Sequence, residues 1–294
     1  MFTEKEATEL IEKQRSCWPE YDERIKQLES VQTKQFSIGN CKIIAQHNPA
    51  RVVSTGAKVD KQSIKERKCF LCAENRPSQQ IGLEILPNYT LLVNPFPILK
   101  GHYTIVCNKH CEQKIYDRLP DMLKMAELMP NHMFLYNGPC CGASAPDHMH
   151  FQAVLKGQMP FEEECKTLPN ITLSDNRDGQ MIAIQGLGRK CIILQSHRID
   201  MVTSFFHQMF HQLPKNGNEE PMMNLFACKE GDTFKLFLFS RKAHRPSQYF
   251  SEGDNWMISP GAIDMGGVLV LPRCEDFNRI NEAIIADVYS QVSL

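Results

Sequence analysis

The feature that most constrains the fold is a series of short, strand-like segments that follow one another in pairs. Residues 89–99 and 102–110 read as strands on either side of a Lys100–Gly101 turn, and a second pair stands at 221–230 and 233–242. Strands joined by short turns pair antiparallel. Helical patterns lie between these pairs, so the sequence predicts an α+β protein with antiparallel sheets and flanking helices.

The remaining expected elements complete this pattern. Helices are expected at 3–34, where Pro19 divides the segment, and at 115–130, 199–213 and 274–292. Further strands are expected at 36–49, 132–138, 148–156, 190–196 and 266–272. Because the element order is similar in the two parts of the chain, we expect two related halves, 1–157 and 158–294, with the acidic segment 161–170 as a linker.

Composition argues against several classes of protein. A formal net charge of −1 gives no support for a nucleic-acid partner. No apolar run reaches the roughly 18 residues that a membrane-spanning helix needs, and the first residues are too charged for a signal peptide. We therefore expect a cytoplasmic protein, in which the twelve cysteines are thiols or metal ligands rather than disulfides. The oligomeric state is left open, with a homodimer as one option.

The segment from Cys140 to Val154, CCGASAPDHMHFQAV, is the most informative for function. Side chains alternate between the two faces of a strand, so His148, His150 and Gln152 share one face. From alternation alone, a solvated strand face is the first interpretation. The preceding loop favours another, because Gly142 and its small neighbours let backbone N–H groups approach an anion and Ser144 adds a hydroxyl. A phosphate-binding loop that runs into two imidazoles indicates chemistry at phosphorus.

Cys69 and Cys72 have the C-x₂-C spacing that is typical of zinc sites, although chance is a real alternative in a chain so rich in cysteine. Two further ligands are needed, and His110 and His148 are the best candidates. The competing candidates are His102, His132, Cys107, Cys111, Cys140 and Cys141. Four protein ligands would close the coordination sphere, which predicts a structural zinc ion rather than a catalytic one.

Several motifs together resemble a known family. CFLC…NRP, NPFPIL, NKH and N-x₁₀-H-x-H-x-Q are similar in order and spacing to galactose-1-phosphate uridylyltransferase, of the transferase branch of the histidine-triad superfamily. That branch also includes diadenosine tetraphosphate phosphorylases and GDP-hexose phosphorylases, and SPGAIDMGGVLVLP (259–272) is more similar to these. The resemblance covers residues 45–155 and, more loosely, 240–273. It implies a histidine-triad-like fold, with a catalytic half and a second half that completes the nucleotide and acceptor site.

The resemblance also implies roles for individual residues. His150 matches the nucleophile and Gln152 the phosphate-holding glutamine, while the metal ligands match Cys69, Cys72, His110 and His148. Positions that match nucleoside- or phosphate-contacting residues are Asn94, Phe96, Pro97, Asn137 and Ser144. Asp147, inserted between Pro146 and His148, departs from the family pattern and leaves the register of Ser144 open.

The expected reaction is attack of a neutral imidazole on an α-phosphorus, which gives a nucleotidyl-histidine and a ping-pong mechanism. Histidine-triad hydrolases carry a third histidine at position 152. Gln152 cannot assist water in this way, which favours transfer to phosphate or a sugar phosphate. Arg51 and Arg245 are expected to bind these anions. We therefore predict a nucleotidyltransferase or phosphorylase that acts on an NDP-hexose or a dinucleoside polyphosphate. The alternatives are a hexose-1-phosphate uridylyltransferase, a nucleotide hydrolase and a non-catalytic, zinc-stabilised nucleotide-binding protein.

Overall fold

A computed structural model describes residues 2–215 and 217–294. Within them the α-helices are α1 (Glu4–Cys17), α2 (Pro19–Glu29), α3 (Val52–Thr55), α4 (Lys61–Glu66), α5 (Leu119–Leu128), α6 (Phe161–Thr167), α7 (Ile199–Gln212), α8 (Ala262–Met265), α9 (Cys274–Arg279) and α10 (Glu282–Val292). The strands are β1 (Gln32–Ile38), β2 (Cys41–His47), β3 (Gly82–Leu86), β4 (Tyr89–Val93), β5 (Tyr103–Cys107), β6 (His132–Asn137), β7 (His150–Leu155), β8 (Asn170–Asn176), β9 (Gly179–Ile184), β10 (Cys191–Ser196), β11 (Met223–Glu230), β12 (Thr233–Ser240) and β13 (Val268–Leu271).

Ten of the strands form one antiparallel sheet that runs through both parts of the chain. Its order is β3-β4-β5-β7-β6-β11-β12-β10-β9-β8. From the outer edge to the centre, the first five strands run β3-β4-β5-β7-β6 and the last five run β8-β9-β10-β12-β11. In both sets the fifth strand in chain order lies between the third and the fourth. The sets meet where β6 pairs with β11, with Asn137 opposite Asn224. The fold is thus α+β, with two halves of matching topology that share one continuous sheet.

Each face of this sheet is covered by a separate hydrophobic core. On one face, Leu10 of α1, Leu123 of α5 and Phe206 of α7 pack with Phe151 of β7. The other face carries a three-stranded sheet of order β1-β2-β13, together with α6, α9 and α10. Alternation along β7 sends Phe151 to the first core and Val154 to the second. His150 and Gln152 therefore point to the face that carries the small sheet.

The structure corrects three expectations about elements. The single strand expected at 36–49 is a hairpin of β1 and β2, turned at Gly39, whose φ of 59° suits glycine. The expected linker at 161–170 is largely α6, and Phe161 is completely buried among Phe226, Phe237 and Phe239. Strands β3, β8 and β9 were not expected. The polar run from Asn176 to Gly179, in which Arg177 and Asp178 turn the β8–β9 hairpin, was an available signal.

None of the helices in the described part of the chain is long and apolar enough to cross a membrane.

Candidate active site

His150 is the first residue of β7, and its ring is held in one tautomer by the backbone. Its Nδ1 lies 2.8 Å from the carbonyl oxygen of His148. A carbonyl can only accept, so Nδ1 carries the proton and Nε2 keeps a free lone pair. The side chain is only 5% exposed, and this burial lowers its pKa to about 4. His150 is therefore a neutral imidazole at pH 7, with Nε2 available as a nucleophile.

The amide of Gln152 is oriented by a second buried histidine, His102. The backbone N–H of Ile98 donates to Nδ1 of His102 at 3.1 Å, so the proton of this ring lies on Nε2. That Nε2 donates to Oε1 of Gln152 at 2.8 Å. Since its oxygen is held in this way, Gln152 presents an NH₂ group that has no hydrogen-bond partner within the described residues. Burial lowers the pKa of His102 to about 3, so its donor role does not change near neutral pH.

Asn137, at the end of β6, is oriented in the same sense. Its Oδ1 accepts from the backbone N–H of Ala262 at 2.7 Å and from Nδ2 of Asn224 at 2.9 Å. These two donors fix which side-chain atom is the oxygen. The NH₂ group of Asn137 has no partner in the described part of the chain. Asn137 and Gln152 thus each keep an N–H donor free, which suits the oxygens of an anion.

The loop between β6 and β7 is packed too closely to accept larger residues. Gly142 has a φ of 96°, and a Cβ at this position would lie 2.6 Å from the Cα of Gly261. A Cβ on Gly138 would lie 2.8 Å from the carbonyl oxygen of Met223. The half-buried hydroxyl of Ser144 makes no hydrogen bond to the described residues. Backbone N–H groups and this hydroxyl can therefore approach a bound anion closely.

These groups line one cleft of about 660 Å³, counting the space that is open to solvent. The expected site residues that it brings together are Arg51, Asn137, Gly142, Ser144, Gln152 and Arg245. His150 is not among the residues that line this cleft; it lies two residues before Gln152 on the same face of β7.

The charges in the cleft are mostly positive. The guanidinium of Arg245 is held by Ser259 Oγ and by the carbonyls of Thr55 and Ala57, and it stacks on Tyr249 at 4.0 Å. These contacts use Nε and Nη2, which leaves Nη1 without a partner in the described residues. Arg51 donates from Nη1 to the Phe96 carbonyl at 3.0 Å, and burial lowers its pKa to about 10, so it stays charged at pH 7.

Two more titratable side chains face the same space. Asp264 accepts from the backbone N–H groups of Gly261 and Val270, and burial raises its pKa to about 6. Burial lowers the pKa of His244 to about 4, so its ring is neutral at pH 7. Two arginines and one carboxylate therefore set the charge of the cleft, which leaves a positive balance for an anionic ligand.

Asn94, Phe96 and Pro97 lie outside this cleft. The Asn94 side chain is buried and occupied by Thr104 and by the backbone N–H of Phe96, so it supports the turn after β4. Phe96 borders a separate open groove beside α2, where the Arg24 guanidinium lies 4.3 Å from its ring. The carbonyl of Pro97 accepts from Asn48 Nδ2 at 3.1 Å. Six of the twelve residues that line this groove are charged, and Phe96 is its one aromatic side chain.

Cys69, Cys72, His110 and His148 form a cluster that could hold a metal ion, since their ligand atoms all lie within 4.8 Å of one another. Sγ of Cys69 is 3.2 Å from Nδ1 of His148, and Sγ of Cys72 is 3.2 Å from Nδ1 of His110. A tetrahedral zinc ion holds sulfur and nitrogen ligands about 3.5 Å apart. The donor set and its spacing therefore fit such an ion.

The surroundings of the cluster also prepare its atoms for a cation. Nε2 of His148 donates to the Cys107 carbonyl at 2.7 Å, which leaves Nδ1 free for a metal. Burial alone would raise the pKa of Cys69, but the contact with His148 and hydrogen bonds from the backbone N–H groups of Leu71 and Cys72 outweigh it and lower the pKa to about 6. The thiolate form that binds metal is thereby favoured at neutral pH in Cys69, whereas burial and the neighbouring Cys69 raise the pKa of Cys72 to about 11.

Asp147 connects the metal cluster to the loop before β7. Its carboxylate forms an ion pair with Arg67, two residues before Cys69, and both side chains are largely buried. Arg67 also lies over the ring of Phe70, at 5.1 Å. The inserted residue thus ties the loop to the segment that carries the two cysteines.

Sequence reasoning did not assign a role at this site to His102, Gln113, Ser259 or Asp264. His102 was considered only as a metal ligand, and its position five residues before Cys107 gives no sign that it meets Gln152. Ser259 and Asp264 belong to the SPGAIDMGG run. This run indicated a resemblance to the phosphorylases, but it did not show that these two side chains would lie in the cleft. His102 and Gln113 bond to residues 50 and 37 positions away, and Ser259 bonds to Arg245, 14 positions away.

Three comparisons relate the chain to known proteins. A model of a domain of unknown function, DUF4922, matches residues 10–155. No curated protein sequence matches the chain. The crystal structure of the yeast Ap4A phosphorylase Apa2 is similar with a TM-score of 0.63 and 13% identity, over 97% of each chain. The same enzyme in complex with Ap4A gives a TM-score of 0.64 at 12% identity, again over 97% of each chain.

A GALT-like protein from Arabidopsis thaliana gives a TM-score of 0.39 at 15% identity, over 90% of this chain and 99% of its own, and this match is too distant to support an argument. The agreement with Apa2 covers the whole fold, including both halves of the ten-stranded sheet. The chain therefore has the fold of the yeast Ap4A phosphorylase, which agrees with the fold that the resemblance implied.

Proposed function

We propose that this protein is a nucleotidyltransferase, in the form of a phosphorylase, that acts on a dinucleoside polyphosphate or an NDP-hexose through a covalent histidine intermediate. The observation that carries the proposal is the ring of His150. Its proton is held by the His148 carbonyl, and its free Nε2 shares a strand face with the unpaired NH₂ group of Gln152. A neutral nucleophile beside fixed N–H donors is what attack on a phosphate requires.

In the first step, Nε2 of His150 attacks the α-phosphorus and forms an N–P bond. The bond from phosphorus to the bridging oxygen breaks, and the leaving phosphate departs with that electron pair. In the second step, an oxygen of the acceptor phosphate attacks the same phosphorus, and the N–P bond returns its electron pair to Nε2. The Nδ1 proton stays on the ring throughout, held by the His148 carbonyl.

The oxygens of the α-phosphate are bound, in this proposal, by donors from the loop and from two amides. Gln152 and Asn137 supply N–H groups, and Ser144 and the backbone near Gly142 supply the rest. Charge that develops on these oxygens in the transition state is stabilised by donors that are already oriented.

The acceptor phosphate lies, in this proposal, toward Arg51 and Arg245. Arg51 comes from the first half of the chain, 1–157, and Arg245 from the second, 158–294, so the second half completes the site. We assign the nucleobase to the groove that the ring of Phe96 borders, with Asn94 and Pro97 holding the chain around it.

Transfer to phosphate is favoured over hydrolysis by Gln152, because an amide cannot accept a proton from water. The fold shared with an Ap4A phosphorylase supports the same choice. A hexose-1-phosphate uridylyltransferase would use the same intermediate with a sugar phosphate as acceptor, and the choice of acceptor in the assay below separates the two.

We also propose that Cys69, Cys72, His110 and His148 bind a structural zinc ion. With four protein ligands, the ion would have no open position for substrate. It would hold His148, and through it the start of β7, in place.

The test is to incubate the protein with radiolabelled Ap4A, UDP-glucose or GDP-hexose and to isolate the protein under alkaline conditions. We expect acid-labile label on wild type and none on His150→Ala. Adding the correct acceptor, inorganic phosphate or a hexose 1-phosphate, to the labelled protein should remove the nucleotide label from it. Release of nucleoside monophosphate at the same rate without phosphate would identify a hydrolase. Tight nucleotide binding without label would identify a binding protein and refute the proposal.

A further inference from the structure

Gln113 lies between the ends of β6 and β7, and its side chain is completely buried. Its Oε1 accepts from the backbone N–H of His150 at 2.8 Å. Its Nε2 donates to the carbonyl of His150 at 2.9 Å and to the carbonyl of Asn137 at 3.0 Å. One amide thus binds both backbone groups of the nucleophile and the end of the neighbouring strand.

The Gln113 amide replaces a pair of backbone hydrogen bonds between β6 and β7. The register of β6 and β7 runs from His132 opposite Leu155 to Leu135 opposite Gln152. The same register, extended by two residues, would put Asn137 opposite His150, with direct bonds between their backbones. These bonds are absent, and the Gln113 side chain bridges the two strands in their stead. The strands therefore separate where the proposed nucleophile begins.

Gln113 also holds the loop that precedes β7. Its backbone N–H donates to the carbonyl of Pro146 at 3.1 Å. The residue is thus bonded to three parts of the site: the end of β6 at Asn137, the loop at Pro146 and the start of β7 at His150. Its side chain bonds to the backbones of His150 and Asn137 and not to their side chains, so it can act only through the positions of those two residues.

We infer that Gln113 is a positioning residue, which keeps His150 apart from Asn137 so that an α-phosphate fits between the imidazole and the phosphate-binding loop. This inference rests on the proposed function. Without the amide, the two strands would either close by direct backbone bonds or leave buried backbone groups unpaired. Both outcomes move the ring of His150 relative to Asn137 and Gln152. A displacement of about 1 Å in a reacting group can cost about 100-fold in rate.

The experiment compares Gln113→Met with Gln14→Met. Gln14 is a matched control, because it is also completely buried and bonds to backbone on both sides: Nε2 to the Gln79 carbonyl and Oε1 to the Ile81 N–H, each at 2.8 Å. It lies in α1, on the opposite face of the sheet from the cleft. We measure the single-turnover rate of labelling by Ap4A per folded protein, the affinity for AMP, and the melting temperature.

We expect Gln113→Met to label about 10- to 100-fold more slowly while its affinity for AMP changes less than threefold. Gln14→Met should lower the melting temperature and label at the wild-type rate. If Gln113→Met does not fold, Gln113→Glu keeps the size and the acceptor for His150 but loses both donated bonds, and we expect at least a tenfold slower rate.

A wild-type rate in a folded Gln113 variant would overturn the inference, and so would an equal loss of rate in Gln14→Met. Absence of label on wild type would instead refute the proposed function, so the two failures are distinguishable.

Discussion

The protonation state of His150 gives the sharpest quantitative prediction. Burial lowers its pKa from 6.5 to about 4. At pH 5.5, about 97% of such a ring is neutral, whereas a histidine of ordinary pKa would be about 9% neutral. Between pH 7.5 and 5.5, protonation of His150 should therefore lower the rate of the covalent step by no more than a few per cent. A histidine of ordinary pKa would lower it about tenfold over the same range.

The direct assay is NMR of protein labelled with ¹³C at Cε1 of histidine, with His150→Gln to assign the resonance. We expect the His150 signal to show no titration above about pH 5. Single-turnover labelling with Ap4A, whose internal phosphates ionise well below this range, should be nearly flat to pH 5.5. Asp264 faces the same cleft with a pKa of about 6, so a small inflection in rate near pH 6 without any shift of the His150 signal would report that carboxyl.

The same shift has a consequence for stability. The folded protein binds the His150 proton less well than the unfolded chain, so this contribution to stability is fully present above about pH 6.5 and is lost as the pH falls toward 4. A shift of this size corresponds to about 3 kcal/mol. Wild type should lose about that much more free energy of unfolding than His150→Gln between pH 6.5 and 4. A His150 resonance with a midpoint near 6.5 would refute the reasoning, because the ring would then be solvated rather than buried.

Three further predictions test other parts of the site. Cys69→Ser should lose about one equivalent of zinc and several kcal/mol of stability, since the free energy of metal binding is part of folding, and metal analysis with thermal unfolding checks this. His102→Leu should slow labelling by Ap4A about 10- to 100-fold, because the Gln152 amide can then rotate. Arg245→Met should raise the KM for inorganic phosphate about 10- to 100-fold, as expected for one hydrogen bond to a charged group.

Each of these has an outcome that contradicts it. Full zinc in Cys69→Ser would move the site to other residues, and Cys274→Ser, at an exposed cysteine, is the control that should keep its metal. Wild-type labelling by His102→Leu would show that Gln152 needs no anchor. An unchanged KM for phosphate in Arg245→Met would place the acceptor elsewhere in the cleft.

Local patterns were sufficient for the fold class and for the parts of the site that lie close together in the chain. The paired strands predicted antiparallel sheets, and alternation placed His150 and Gln152 on one face of β7. The C-x₂-C spacing pointed to Cys69 and Cys72, and the structure brings His110 and His148 to them. The linker expected at 161–170 was wrong, because its acidic residues suggested solvent while Phe161 is buried in a core formed by distant strands.

The sequence by itself determined which side chains of β7 share a face, since the side chains of a strand alternate with a period of two. Only the tertiary structure decided their states. The His102 proton that orients Gln152 depends on the turn at Ile98, and the NH₂ group of Asn137 is freed by Ala262 from 125 residues away. Gln113 meets His150 only because two strands separate to admit it. Amide orientations and burial depend largely on contacts between segments remote in sequence, whereas the tautomers of His102 and His150 are fixed by backbone groups four and two residues away, once the turn at Ile98 and the start of β7 have formed.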